Sequence, residues 1–273
     1  MAAFTDIDDL INKMTGGASG TPETVFFNKY MVLAGAGSPD ANLGVGFFGS
    51  MWQFQGTPGP GATPTTVAAP TSATVGAIPF TNPGGGREKF IVTCGMAYGE
   101  EIGIMVYDRL LHIGGLDATL TSAQTVGGTL TRNTGGVGNQ IWLEIYTSPS
   151  VTARNLTASY TNQAGTSGRT TQVADAFGVN SNAVGSLHPL QLQAGDTGVR
   201  SVQSVTQTEA NATAGNYGVT IARPLMMVQG MHEHPGILGR NMPEVEADAC
   251  LALAYYSSQT TTMMTGAISM VES

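Results

Sequence analysis

The chain has 273 residues, a net charge of −8 and 37 glycines, and charged residues make up 11% of it, against about a quarter in ordinary soluble domains. This length allows one large β domain or two small ones to bury a core without disulfide or metal support. Lysine occurs only at Lys13, Lys29 and Lys89, so long solvated helices laced with Glu–Lys pairs lack raw material. The acidic balance and eight scattered arginines exclude a surface that neutralises many phosphates and disfavour an anionic membrane. No run approaches the roughly 18 apolar residues of a spanning helix.

In chain order, MAAFTDIDDL has neither the basic region nor the apolar region of a secretory signal, so synthesis in a cytoplasm is expected. Phe4, Ile7, Leu10, Ile11 and Met14 recur at three- and four-residue spacing, with Thr5 or Asp6 to cap and Gly16-Gly17 to stop. That pattern predicts one short amphipathic helix, either packed on its own domain or serving as an arm for a neighbour. From Gly56 to Gly86 runs an uncharged stretch, GTPGPGATPTTVAAPTSATVGAIPFTNPGGG. With Pro or Gly every few positions it forms neither a helix nor a central strand, and it must be ordered by lying across other surfaces.

Short candidate strands follow at Lys89 to Met96, Gly103 to Tyr107, Gln140 to Thr147, Asn155 to Thr161, Thr170 to Ala174, Gly198 to Thr206, Gly218 to Arg223 and Cys250 to Tyr256. Ile141, Leu143 and Ile145 alternate with polar or aromatic positions, and TNQAGTSGR reads as a hairpin connection. The expected fold is mainly β: an antiparallel sandwich or jelly-roll-like barrel with a short amino-terminal helical arm and a long Pro/Gly-rich loop. The division expected is 1–55 for the arm and first strands, 56–87 for the loop and 88–273 for the main β domain. Cys94 and Cys250 are expected as buried free thiols.

No catalytic constellation emerges. Gly44-Val45-Gly46-Phe47-Phe48-Gly49 has dinucleotide-turn spacing, yet a Pro-rich uncharged stretch follows where a helix and an acidic residue are required. Met231-His232-Glu233-His234-Pro235 could offer two imidazoles to a metal on one strand face, with Glu246 or Asp248 as a distant third ligand; a polar loop is the simpler reading. His112 and His188 are flanked by apolar residues and read as satisfied core or interface side chains. Glu100-Glu101 would face opposite ways on an extended chain. Asp196 is expected to cap the turn Gly195 to Gly198, and Arg200 to be solvated or to pair across an interface. No cofactor and no metal are implied.

Several phrases resemble a known family: FTDIDDLINKMTGG, PGGGREK, YDRLLHIGGL, SYTNQAGTSGRTT, LQAGDTGVRSV, GNYGVTIARPL and DACLAL. They resemble segments of virion structural proteins of tailed bacteriophages, with gaps from the first residues to about Pro224 and again near the carboxyl end. The resemblance implies a non-enzymatic, head-associated subunit, plausibly a decoration or cement protein on the capsid exterior with the major capsid protein as partner. It supplies no catalytic residues. A closed homo-oligomer is expected, a trimer being favoured by capsid threefold positions, with neither nucleic acid nor membrane as partner. Anchoring contacts are expected from Phe4, Ile7, Leu10, Ile11 and Met14 of the arm and from Ile78 and Phe80 of the Pro/Gly-rich loop. Other roles compatible with the residues are a neck or tail component, a carbohydrate-binding or host-attachment module using Trp52 or Trp142 with Tyr146, and a metal hydrolase around His232, Glu233 and His234.

Overall fold

The computed structural model describes residues 4–17, 22–33, 48–97, 102–149, 152, 154–176, 183–230, 242–257 and 263–273. Among the described residues a single helix, α1 (Ile7–Met14), precedes β1 (Glu23–Leu33), β2 (Phe48–Ser50), β3 (Phe54–Thr57), β4 (Lys89–Ala97) and β5 (Ile102–Leu116). The chain continues through β6 (Gln124–Thr125), β7 (Gln140–Thr147), β8 (Arg154–Asn162), β9 (Arg169–Thr170), β10 (Ala174–Ala176) and β11 (Ser186–Leu190). It ends with β12 (Val199–Gln207), β13 (Asn216–Gly230), β14 (Glu244–Val245), β15 (Leu251–Ser257) and β16 (Met263–Glu272). The protein is mainly β, as its alternating segments predict.

The strands form a closed barrel, in the order β11-β2-β15-β5-β13-β7, and two flanking antiparallel sheets. Sheet A has the order β14-β4-β16-β1-β3; sheet B has β10-β8-β12-β6, with β9 added to β8. Closure removes the barrel's own edges and encloses every second side chain of its strands. On β7, Ile141, Leu143 and Ile145 point outward into a buried cluster with Leu156, Ala158 and Tyr160 of β8 and Val199, Val202 and Val205 of β12. Trp142, Glu144 and Tyr146 point into the lumen. On β15 the alternation repeats: Leu251, Leu253 and Tyr255 pack on sheet A beside Ile91, Cys94, Met264 and Ile268, while Ala252 and Ala254 face inward against Trp142 and Tyr107.

The two longest strands serve both flanks. In β13, Tyr217, Val219 and Ile221 belong to the cluster under sheet B, whereas Met226 and Val228 belong to the one under sheet A. Its register against β5 shifts between Ile221 and Ala222 and again between Pro224 and Met226. Such irregularities turn a strand and re-aim its side chains. They also explain why the strand passes Pro224, where sequence reasoning ends it: the missing N–H falls at an interruption of the ladder. Gly218 faces the Ile113 carbonyl and the Tyr146 ring, and a Cβ there would come within 2.8 Å of that ring. The buried apolar residues therefore form three clusters, one under each flanking sheet and one inside the barrel.

Residues 56–87 are pinned to their own subunit. The Gly61 amide donates to the Trp52 carbonyl at 2.7 Å, and the Trp52 indole donates to the Ala62 carbonyl at 2.9 Å. Ala68 and His112 form a reciprocal backbone bridge at 2.9 Å, and the Ile78 amide donates to Leu251 at 2.8 Å. The side chain of Ile78 is 1% exposed within the cluster under sheet A. Burying an aliphatic side chain contributes about 1.5–3 kcal/mol, against the roughly 1–2 kcal/mol that fixing the backbone of one residue costs.

An Ile78→Ala substitution is accordingly expected to lower the unfolding free energy of the isolated chain by about 2–5 kcal/mol, read from the denaturant midpoint. An unchanged midpoint would mean that Ile78 does not pack in its own subunit.

Candidate functional site

The densest group of titratable side chains lies in the barrel lumen. Arg109, on β5, has no exposed surface, and Glu144, on β7, is 1% exposed. The guanidinium Nη2 donates to Glu144 Oε2 at 2.6 Å and to the Tyr146 hydroxyl at 2.9 Å. Its Nη1 donates to the Tyr107 hydroxyl at 3.3 Å, and its Nε to His112 Nδ1 at 2.8 Å. The Trp52 ring covers the guanidinium carbon at 4.6 Å. Glu144 Oε2 also accepts from the Tyr146 hydroxyl at 3.0 Å and from Thr220 Oγ1 at 2.9 Å. Small inward residues, Ala222, Ala252 and Ala254, leave room for this group.

The electrostatics follow from enclosure. Burial alone would raise the Glu144 carboxyl, yet Arg109 and its hydrogen-bond donors hold it below its ordinary value. Burial pushes His112 down to about 3, reinforced by the adjacent Arg109 charge, so the imidazole is neutral and able to accept from Arg109 Nε. Burial raises the Tyr107 hydroxyl to about 12. The lumen thus holds one carboxylate and one guanidinium compensating each other inside a hydrogen-bonded cage.

Neighbouring pairs fasten the barrel to its loops. Arg132 donates from Nε to Asp108 Oδ2 at 3.0 Å and from Nη2 to Asp108 Oδ1 at 2.8 Å and to the Pro70 carbonyl at 2.8 Å. Asp108 Oδ1 also accepts the Cys250 amide at 2.8 Å. Arg223 pairs with Glu246 at 2.7 Å, and Asn82 donates to Asp248 at 2.6 Å, so both carboxylates considered as distant metal ligands are engaged. Among the described residues no group of three His, Cys, Asp or Glu side chains is placed to hold a metal. His232, Glu233, His234 and Glu100-Glu101 lie outside the described residues.

Other sequence expectations resolve residue by residue. Asp196 does not cap its own turn; it reaches the β8–β9 hairpin, accepting from Arg169 at 2.9 Å, the Tyr160 hydroxyl at 2.5 Å and Asn162 at 2.7 Å. The Arg169 and Tyr160 hydrogen bonds hold its carboxyl down at about 2. Among the described residues Arg200 meets no acid: its Nε donates to the carbonyls of Gly135 and Gln163. His188 is buried on β11. Cys94 and Cys250 are free and buried, and burial raises both thiols to about 12. Trp52, Trp142 and Tyr146 are 2%, 1% and 5% exposed. They are lumen residues, and the exposed aromatic platform of a sugar-binding module is not formed by them.

The anchoring set divides. The Phe4 ring packs tilted against Phe90, centroids 5.4 Å apart, and Leu10 is half-buried, while Ile7, Ile11 and Met14 are 65%, 52% and 41% exposed. Helix α1 is capped by Asp6, which accepts the Asp9 amide at 2.8 Å, and it buries no residue of its own. Ile78 is enclosed, and Phe80 is half-buried against the same cluster with the Lys89 ammonium 5.7 Å above its ring. Sequence reasoning missed the outer face of sheet A, where Phe26 is 70%, Tyr30 42% and Met263 46% exposed. Their signal was present: Thr24, Phe26, Asn28 and Tyr30 alternate with Val25, Phe27 and Lys29. Lys29, on the inner side, donates to the carbonyls of Phe54 and Pro58 at 3.2 and 2.7 Å, and burial lowers it to about 8.

Two stability predictions follow from the lumen. Glu144→Gln leaves Arg109 without its counter-charge and should cost about 3–5 kcal/mol, seen as a large drop in chemical-denaturation midpoint. His112 has a folded pKa near 3 against about 6.5 unfolded. As pH falls below about 6.5 the unfolded chain takes up a proton that the folded chain refuses. Stability should therefore fall by up to about 1.4 kcal/mol per pH unit toward pH 3 through this group. His112→Asn, which keeps an acceptor for Arg109, should remove that share of the slope between about pH 6 and 4.5; parallel pH profiles of parent and variant would refute the assignment.

No family model matches the chain, and no curated protein matches it. Among solved structures the fold is similar to the VP2 subviral particle of infectious bursal disease virus, at 8% identity and a TM-score of 0.23, covering 93% of this chain and 81% of that one. It is also similar to infectious bursal disease virus of the Gx strain, at 10% identity and a TM-score of 0.20, covering 93% and 81%. Likeness at this level assigns neither a family nor a function.

Proposed function

We propose that this chain is a non-enzymatic structural subunit of a virus particle, a decoration or cement protein that binds the major capsid protein on the exterior of a tailed-phage head. The observation that carries the reading is the exposed apolar stripe of helix α1, where Ile7, Ile11 and Met14 are between 41% and 65% exposed on a helix whose only sheltered apolar residue, Leu10, is half-buried. A capped helix with an unburied apolar face gains its packing energy from a partner. Phe26, Tyr30 and Met263 add apolar surface on sheet A. The titratable clusters of the barrel and hairpin are consumed in internal pairs, which suits a scaffold whose work is contact. The phage-like phrases along the chain agree with this reading, and so does a net charge of −8 for a surface away from DNA. Neighbouring copies around a threefold axis would close the assembly as a trimer.

A neck or tail component would use the same surface, and the place of the protein in the particle separates the two. The host-attachment reading loses support because its aromatic candidates are enclosed.

Replacing Ile7 and Ile11 together by Asp should leave the far-ultraviolet circular dichroism and melting temperature of the isolated chain unchanged, because both side chains are exposed. Loss of two apolar anchors worth about 1 kcal/mol or more each should reduce binding to assembled heads at least about tenfold. Full occupancy of heads by the double variant would sink the proposal.

A further inference from the structure

The open end of the barrel carries a cavity that none of the features above uses. Its volume is about 240 Å³, below the roughly 300–1,000 Å³ of pockets for drug-sized ligands, so it holds one substituted ring and no more. Five of the six barrel strands line it, through Phe48 of β2, Met105 of β5, Gln140 and Trp142 of β7, Leu187 of β11 and Met227 of β13, together with two prolines. Lumen-facing positions converge there because closure aims every second side chain at the axis. Trp142 joins it to the Tyr107 ring, whose centroid lies 4.8 Å away.

The geometry points to a binding site for a single uncharged aromatic ring, supplied as a free small molecule. Two aromatic side chains, Phe48 and Trp142, and two thioethers line one small volume; methionine sulfur makes favourable contacts with ring edges at about 5 Å, while aromatic pairs favour tilted and edge-on arrangements. Among the described residues no charged side chain lines the cavity. The Arg109–Glu144 pair in the same lumen is already compensated internally, so a carboxylate or ammonium entering the site would be desolvated without a counter-charge. Gln140 is the single polar side chain among the described residues of the lining. Its carbonyl accepts the Trp142 indole N–H at 2.9 Å, which leaves the amide NH₂ to donate to a hydroxyl substituent. Met227, 46% exposed at the rim, is the apolar side chain through which a ring would enter. A neutral phenol therefore matches the lining better than an acid, an amine or an alicyclic alcohol of the same size.

The test uses the full chain labelled with ¹³C in its methionine methyl groups, titrated with p-cresol. The Met105 and Met227 signals, identified by replacement with Leu, should shift saturably with one site and a Kd of about 0.1–1 mM, as befits a fragment-sized ligand. Benzoate should bind at least about tenfold more weakly, and cyclohexanol several-fold more weakly. Met227→Lys, at an exposed rim position that leaves the core untouched, should weaken p-cresol at least about tenfold. Linear, unsaturating shifts, or equal affinity for benzoate, would overturn the site without any variant being needed. Binding of p-cresol only in proportion to dissociation of an oligomer, followed by sedimentation, would overturn the free-ligand assignment in favour of a second copy filling the cavity. Since head attachment is measured separately, loss of this site would leave the structural-subunit reading standing.

Discussion

The barrel is organised around one enclosed charge. Once six strands close on themselves, half of their side chains lose access to water, and a guanidinium among them must be neutralised from within. Glu144 supplies the charge, Tyr107, Tyr146 and His112 supply the remaining polar partners, and Trp52 supplies a ring face. These groups are large, so the strands facing them carry alanine and glycine. The result is a polar centre inside an apolar shell, and it tolerates little exchange: removing one member exposes the others to an unmet desolvation cost.

From that centre the architecture runs outward. The opposite faces of the same strands are aliphatic and need covering, which sheets A and B provide on different arcs of the barrel. The uncharged residues 56–87 then become intelligible. They contribute carbonyls at Ala62, Ala68 and Pro70 to lumen and near-lumen donors, and a charged loop in that position would compete with the Arg109–Glu144 and Arg132–Asp108 pairs. The loop expected to anchor a neighbour through Ile78 and Phe80 is in large part a closure of the protein's own barrel, while Ile7, Ile11 and Met14 of helix α1 stay exposed.

Legibility in the sequence followed the range over which each pattern acts. Period-two alternation is local, and β7 falls where Gln140 to Thr147 predicts it, with β8 within one residue of expectation at each end. The candidate strand at Gly103 to Tyr107 stops short of β5, which continues through Asp108 and Arg109; their neutralising partners Arg132 and Glu144 lie more than twenty residues away in the chain, beyond the reach of any local pattern. Strand β1 hides behind Lys29, whose ammonium is satisfied by the carbonyls of Phe54 and Pro58, and β16 behind glycine, alanine and methionine, which report no period until neighbours surround them. The same limit separates Ile78 from Ile11. Ile78 stands in an unpatterned stretch and Ile11 on an amphipathic stripe, yet tertiary packing assigns the first to the core and leaves the second on the surface.

Sheet A joins distant parts of the chain. Strand β16 lies between β4 and β1, pairing Glu23 with Met270 and Lys89 with Glu272. Until residues 263–272 are in place, β1 and β4 each lack a long partner, and the cluster under that sheet lacks Met264, Ile268 and Met270. Closing loops of this span costs chain entropy before any pairing compensates it. A chain in which β16 had left its place would turn the facing edges of β1 and β4 outward, and those two unpaired ladders are the surface it would offer to other chains.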